Sequence, residues 1–138
     1  MGWLFLFCTS TSRVWKRGLL KRSCSFLSGV WPPKGPKIAV RAGEGPCVKV
    51  RDSSLVCAPR VVKGLEEAAE RIGVKTQREV LTAGGNDAAA MQAARAGVLA
   101  GTISIACRYV HSACETISLA DCEGAKKMLV AFLRQPGV

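Results

Sequence analysis

Short β-branched runs alternate with helical patterns from residue 37 to the end of the chain, and this alternation restricts the fold more than any other feature. Strands are predicted at 37–40, 47–51, 77–82 and 101–107, and helices at 59–72, at 87–95 and after Ser118. Strands and helices at such short spacing form βαβ units, in which helices cover a sheet on both faces. The sequence therefore predicts an α/β fold with a mainly parallel sheet flanked by helices.

Two of the predicted helices have an apolar face. In the first, which starts at Pro59, the apolar positions are Val61, Val62, Leu65, Ala68, Ala69 and Ile72. The last helix begins where Ser118 and Asp121 resemble a capping box, and its inner positions are Met128, Leu129 and Phe132. These residues are the predicted core.

The charge of the chain is concentrated at its beginning. The net charge is +10, and residues 1–43 hold eight Lys or Arg and no Asp or Glu, whereas residues 44–138 hold twelve basic and ten acidic residues. Because the globular part is nearly neutral, we predict no nucleic-acid partner, and a tail that binds nucleic acid through residues 13–22 is the less favoured alternative. The apolar run at residues 3–8 is too short to span a membrane, so no membrane association is predicted.

The seven cysteines are odd in number and contain no C-x-x-C pair, which is typical of a thiol protein in a reducing compartment. A cytoplasmic location is therefore predicted. Residues 1–31 are acid-free and lack a sustained period, and they are assigned to no domain. A transit peptide, a secretory signal or a non-native start remain open for them. Residues 32–36 form a Pro/Gly linker, and residues 37–138 form the predicted domain.

Two loops contain the residues that could carry chemistry. Gly84, Gly85, Asn86 and Asp87 stand at a strand-to-helix junction, where free N–H groups stabilise a carboxylate or an oxyanion. His111, the single histidine, follows a predicted buried strand, and imidazole is a common metal ligand. An ordinary surface histidine is the alternative, as is a zinc site that combines His111 with Cys107 and Cys114 but lacks a fourth ligand. If the sheet is parallel, both loops leave the carboxyl ends of strands, so we expect them at one edge.

An ordered series of motifs resembles metallopeptidase family forty-two, which contains the glutamyl, deblocking and tetrahedral aminopeptidases. The motifs are Gly45-Pro46 through Asp52-Ser53-Ser54, Gly84-Gly85-Asn86-Asp87-Ala88, Arg95-Ala96-Gly97-Val98, Ile103-Ser104-Ile105, Cys107-Arg108-Tyr109-Val110-His111-Ser112 and Glu115. The resemblance covers about residues 36–133. It implies the C-terminal piece of an α/β/α catalytic domain of a dinuclear metal-dependent aminopeptidase.

Carried over by residue, the resemblance makes His111 a ligand of one of two divalent metal ions, zinc or cobalt, and places the Gly84–Asp87 loop against the same cavity as a substrate-binding element. The substrate would be a peptide that loses its N-terminal residue. The family's H-x-D motif, bridging Asp, Glu-Glu pair and further Asp have no counterpart, because residues 1–58 contain no His and only Glu44 and Asp52 as acids. The resemblance thus implies no complete catalytic set and an inactive isolated chain.

Two kinds of partner follow from this interpretation. A homo-oligomer or a complementing upstream polypeptide would supply what the chain lacks. The alternative function is a non-catalytic α/β interaction module that docks on a partner chain through an unpaired sheet edge.

Overall fold

The structure is a computed structural model, and it describes the backbone of residues 23–29 and residues 39–110 and 113–135. The strands are β1 (Ser23–Gly29), β2 (Cys47–Arg51), β3 (Gln77–Val80), β4 (Ala100–Arg108) and β5 (Thr116–Ile117). The helices are α1 (Pro59–Arg71), α2 (Asp87–Gln92) and α3 (Leu119–Arg134). The predicted α/β class is confirmed. None of the described helices combines the length and the apolar character that a bilayer crossing requires.

The sheet is mixed rather than mainly parallel. Its strand order is β1-β4-β2-β3, with β5 paired to β4. β1 runs parallel to β4 and β3 runs parallel to β2, whereas β2 and β5 both run antiparallel to β4. The alternation of elements predicted parallel neighbours because each helix was taken as a crossover between adjacent strands. However, α2 connects β3 to β4, which are not neighbours in the sheet.

The main hydrophobic core combines buried side chains of the sheet with those of the helices. Val48 of β2 and Ile103 of β4 are opposite each other in the ladder, and both are fully buried in a core cluster that also contains residues of all three helices. Side chains alternate between the faces of a strand, so the adjacent register pair, Lys49 and Thr102, projects to the other face. The sheet thus has the apolar pair Val48 and Ile103 on one face and the polar pair Lys49 and Thr102 on the other.

The predicted apolar faces of α1 and α3 are largely confirmed. The buried residues of α1 and α3 include eight of the nine predicted apolar positions, namely Val61, Val62, Leu65, Ala68, Ala69, Met128, Leu129 and Phe132. The exception is Ile72, which is 41% exposed because the helix ends at Arg71 and Ile72 is the C-cap. At the start of α3, the Ser118 hydroxyl accepts a hydrogen bond from the Asp121 N–H, as the capping prediction requires.

Several predicted boundaries were wrong. α2 ends at Gln92 instead of residue 95, since Arg95 adopts a left-handed backbone with φ of 55° that a helix does not allow. β3 ends at Val80 instead of residue 82, and Ala39 and Val40 of the predicted first strand belong to no strand. The rest of that predicted strand and the 32–36 linker lie outside the described residues.

β1 lies within residues 1–31, where no element was predicted. Its seven residues pair with β4 from Ser23 opposite Ala100 to Gly29 opposite Ala106. The segment contains three serines and a glycine, so its composition does not mark it as a strand. The strand is defined by its hydrogen-bonded neighbour, which a reading of local pattern does not detect.

Candidate functional site

The two candidate loops lie beyond opposite ends of β4. Lys49 is opposite Thr102 and Cys47 is opposite Ser104, so the carboxyl end of β2 lies beside the amino end of β4. β3 runs with β2, and the Gly84–Asp87 loop therefore follows the edge at which β4 begins. The 109–115 loop leaves the other end of β4, eight residue steps or roughly 26 Å away along the strand. The expectation of one shared edge was wrong, because β4 is antiparallel to β2. That the two loops border one cavity stays a prediction.

The Gly84–Asp87 loop is attached to the turn that follows β2. The carbonyl oxygen of Gly84 accepts hydrogen bonds from the N–H and the hydroxyl of Ser53. The Asn86 N–H donates to the Ser54 hydroxyl over 3.2 Å. A Cβ atom at Gly85 would lie 2.7 Å from the same hydroxyl oxygen, so this position requires glycine for close approach. The loop thus packs tightly against residues 53 and 54.

Asn86 uses its side-chain amide to join two elements. Its Oδ1 accepts a hydrogen bond of 2.8 Å from the N–H of Ala88, which caps α2, and its Nδ2 donates to Asp52 Oδ2 over 2.6 Å. Asp52 Oδ1 accepts three further bonds of 2.8 to 2.9 Å, from the Ser54 N–H, the Ser54 hydroxyl and the Leu55 N–H. The Asn86 side chain is therefore engaged in hydrogen bonds within the fold.

The carboxylate of Asp52 is stabilised in its charged form although it is buried. Burial by itself would raise the pKa of Asp52, but the hydrogen bonds from Ser54, Leu55 and Asn86 outweigh that effect and hold the pKa below its usual value. The Lys49 ammonium lies 3.7 Å away, and it also lies 3.2 Å from Glu79 of β3. The side chains of all three charged residues are fully buried. The buried group of Lys49, Asp52 and Glu79 is thus joined to the Gly84–Asp87 loop through the bond between Asp52 and Asn86.

The loop after β4 begins with a strained residue. Tyr109 has φ of 60°, which is rare for a bulky residue, and the residue is 64% exposed. The chain turns back at this residue and returns as β5, in which Ile117 is opposite Cys107. His111, the predicted metal ligand, and Ser112 lie outside the described residues.

Asp121 connects α3 to the turn before β2, at the edge of the sheet where β4 ends. Its carboxylate is 1% exposed and accepts hydrogen bonds from the N–H groups of Gly43 at 2.7 Å and Gly45 at 3.0 Å. The predicted capping box is therefore only half formed: the Ser118 hydroxyl caps α3, while the Asp121 side chain holds the turn before β2.

The described residues do not by themselves form a metal site. No group of three His, Cys, Asp or Glu side chains with suitable positions occurs among residues 39–110 and 113–135. The oxygens of Asp52 and Asp121 are occupied by the hydrogen bonds above. Burial, and then the nearby Glu115, raise the pKa of Cys107, which disfavours the thiolate that a zinc site with Cys114 would need. The donors in the described part thus do not fit a metal pair.

The supporting charged residues were missed by the sequence predictions. Lys49 and Glu79 stand in the middle of short strands, where charged side chains are usually taken as solvent-exposed. Their only sequence signal is that Lys49 alternates with Val48 and Val50, which places it on the face opposite those two valines. Their pairing depends on the register of β2 and β3, which the sequence does not show.

Comparison with known proteins gives a consistent result. The family model of the M42 glutamyl aminopeptidases matches residues 31–128. A protein of Acetivibrio thermocellus named as a candidate aminopeptidase is 44% identical over 98 residues, which cover 71% of the chain and 30% of that protein.

Solved structures agree with this match. An aminopeptidase from the archaeon Desulfurococcus kamchatkensis superimposes with a TM-score of 0.73 at 30% sequence identity. The match covers 82% of the present chain and 34% of the aminopeptidase chain. The TET1 peptidase of Pyrococcus horikoshii has a TM-score of 0.66 at 27% identity, covering 79% and 32%. The chain therefore spans about a third of the length of these relatives. It belongs to the M42 glutamyl aminopeptidase family.

Proposed function

We propose that the chain forms the C-terminal part of the catalytic domain of a metal-dependent aminopeptidase, which removes N-terminal residues from peptides. The observation that carries the proposal is the family match over residues 31–128. In the complete enzyme a pair of divalent ions, zinc or cobalt, would supply an activated water. The chain's own contribution would be one ligand, His111, and the sheet that holds its loop.

The placement of the 109–115 loop supports His111 as that ligand. β4 ends at Arg108 and β5 begins at Thr116, and the two strands pair directly at their ends. The seven residues between them are therefore held at both ends by strand hydrogen bonds, which is the kind of anchoring that a ligand loop needs. The described carboxylates do not provide its partner ligands, so we assign no catalytic step to the isolated chain.

Metal titration of the purified chain tests this assignment. We expect weak binding of zinc or cobalt by calorimetry, its loss in His111→Ala, and no cleavage of aminoacyl-nitroanilides. Glu123→Gln, which changes an exposed residue of α3, is the matched control and should bind like the parent. Metal-dependent turnover by the isolated chain, or unchanged binding in His111→Ala, would contradict the proposal.

A substrate-binding role for Gly84, Gly85, Asn86 and Asp87 stays a prediction. The loop follows the carboxyl end of β3, at the edge of the sheet where β4 begins. Labelling the exposed 83–85 segment and measuring a change on peptide addition would test this role.

The chain would also need partners to complete the enzyme. The TET1 relative can assemble into a tetrahedron or an octahedral shell, and we propose a homo-oligomer or a complementing polypeptide for this chain. A non-catalytic interaction module is the second candidate, and the edge strand β3 favours it: among the described strands it pairs only with β2, and Val80 is 53% exposed. A monomer in size-exclusion chromatography would argue against both kinds of partner. A cytoplasmic location stays a prediction.

A further inference from the structure

A row of buried polar residues crosses three strands of the sheet. Glu79, Lys49 and Thr102 are successive register partners in β3, β2 and β4, and Ser104 lies two residues further along β4. All four residues are fully buried. Within the described part of the chain, the Lys49 Nζ, both Glu79 carboxylate oxygens and the two hydroxyls have no hydrogen-bond partner. Buried polar atoms in native proteins are nearly always satisfied, so the row calls for a further group.

The ion pairs of Lys49 leave this hydrogen-bonding capacity unused. The Lys49 ammonium lies 3.2 Å from Glu79 and 3.7 Å from Asp52, yet it forms no hydrogen bond with the described residues. Asp52 receives four hydrogen bonds from elsewhere in the fold, whereas the Glu79 carboxylate receives none from the described residues. An ammonium group needs acceptors, a carboxylate needs donors, and a hydroxyl can use both. The group that completes the row must therefore both donate and accept hydrogen bonds.

Small ligands differ in how well they meet this requirement. A metal ion would be attracted to the oxygen atoms but repelled by the Lys49 ammonium, and an anion would be repelled by Glu79. A water molecule both donates and accepts, and buried waters make about three hydrogen bonds each to polar groups that are otherwise unsatisfied. We propose that the row is a binding site for internal water molecules, which bridge Lys49 and Glu79 to the hydroxyls of Thr102 and Ser104.

The spacing of the strands suits such bridges. Neighbouring strands of a sheet lie about 4.8 Å apart. Two hydrogen bonds of about 2.8 Å each, made through one water molecule, span up to roughly 5.6 Å. One water molecule can thus join side chains that are opposite each other on adjacent strands, such as Lys49 on β2 and Thr102 on β4.

An apolar cluster closes the row at one end. Cys47, which is opposite Ser104, belongs with Val40 and Ala106 to a separate buried cluster. Ala106 follows Ser104 by two residues and therefore projects to the same face of β4. Because the row is fully buried and borders this cluster, its water molecules are shielded and exchange slowly with the solvent.

Thr102→Val in the full chain distinguishes a hydrated row from a dry one by the sign of its effect on stability. If water bridges the row, the substitution removes a partner of that water, and the folding equilibrium constant from urea unfolding should fall about threefold to tenfold. In a dry row the same change removes an unsatisfied buried hydroxyl, so the constant should rise. An unchanged or raised constant in Thr102→Val would therefore overturn the proposal.

Thr116→Val is the matched control, because Thr116 lies in the exposed strand β5 and its substitution should change the constant less than about twofold. Magnetic relaxation dispersion of water oxygen-17 then detects the long-lived waters themselves. We expect a dispersion in the parent that is smaller in Thr102→Val and unchanged in Thr116→Val. Equal dispersion in the parent and Thr102→Val contradicts the proposal. If Thr102→Val does not fold, the parent decides: a dispersion supports the site and its absence overturns it.

Replacing sodium chloride by choline chloride at the same ionic strength tests a metal ion as the occupant. Water binding does not depend on the salt cation, so we expect the folding equilibrium constant of the parent to stay the same. A fall in this constant would assign the site to a metal ion instead of water.

Discussion

Asp52→Asn tests the charged group beneath the Gly84–Asp87 loop. The substitution keeps the shape of the side chain but replaces the oxygen that accepts the 2.6 Å bond from Asn86 by a second N–H donor, and it removes the charge near Lys49. Hydrogen bonds to charged groups contribute about 1.5 to 3 kcal/mol, and breaking a buried charge pair costs about 3 to 5 kcal/mol. Because the Ser54 and Leu55 donors keep one acceptor oxygen, we expect a loss near the lower end, about 3 kcal/mol.

Urea unfolding followed by circular dichroism measures this loss. With a slope of roughly 1.5 kcal/mol per molar urea, the midpoint should fall by about 2 M. Asp87→Asn, which changes an exposed residue in the first turn of α2, is the control and should cost less than about 1 kcal/mol. A loss of under 1 kcal/mol in Asp52→Asn would refute the role given to this carboxylate.

The exchanged pair Asp52→Asn with Asn86→Asp makes the test specific. In this variant the donor and the acceptor swap sides, and an Asp at position 86 can still cap α2 through the Ala88 N–H. We therefore expect the double variant to recover about half of the free energy lost in Asp52→Asn. If it is no more stable than the single variant, the contact between the two side chains is not what stabilises the loop.

Three further predictions concern stability. The pKa of Asp52 is lowered on folding, so its carboxylate stabilises the folded state above the unfolded value of about 4, and this stabilisation is lost as pH falls below it. Between about pH 5 and 2 the free energy of unfolding should therefore fall more steeply with pH in the parent than in Asp52→Asn. In Gly45→Ala the added Cβ would collide with the backbone oxygen of Lys75, whereas in Gly43→Ala, at a similar φ, it would meet open space. We expect Gly45→Ala to lower the free energy of unfolding by at least about 2 kcal/mol more than Gly43→Ala, and equal shifts in melting temperature would contradict this. Phe132→Ala should cost about 3 to 5 kcal/mol by urea unfolding and the exposed Leu133→Ala under 1, and similar losses would refute the assignment of the core.

The helices and the core could be predicted because their signals are local. The start of α1 at Pro59 and the apolar stripe of α3 follow from residues three or four positions apart. β2 was predicted at its observed bounds, residues 47–51, because a β-branched run stands between turn residues. The α/β class then follows from the order of these elements.

Strand direction and the buried charges could not be predicted in the same way. Whether β4 runs with or against β2 depends on which strands become neighbours, and this decided that the two candidate loops lie at opposite edges. The contact of Lys49 with Glu79 joins residues 30 positions apart and depends on the register of two strands. The metal-ligand role of His111 stays a prediction, since it rests on resemblance and that residue lies outside the described part.

Complementation of activity tests the central claim most directly. The chain would be mixed with a polypeptide that carries the part of the Acetivibrio thermocellus relative outside the matched 98 residues, and cleavage of aminoacyl-nitroanilides would be followed with zinc or cobalt present. We predict turnover by the mixture, none by either part alone, and a loss of at least about a hundredfold when the chain carries His111→Ala. Turnover by the mixture that is unaffected by His111→Ala would contradict the claim that this chain supplies a metal ligand.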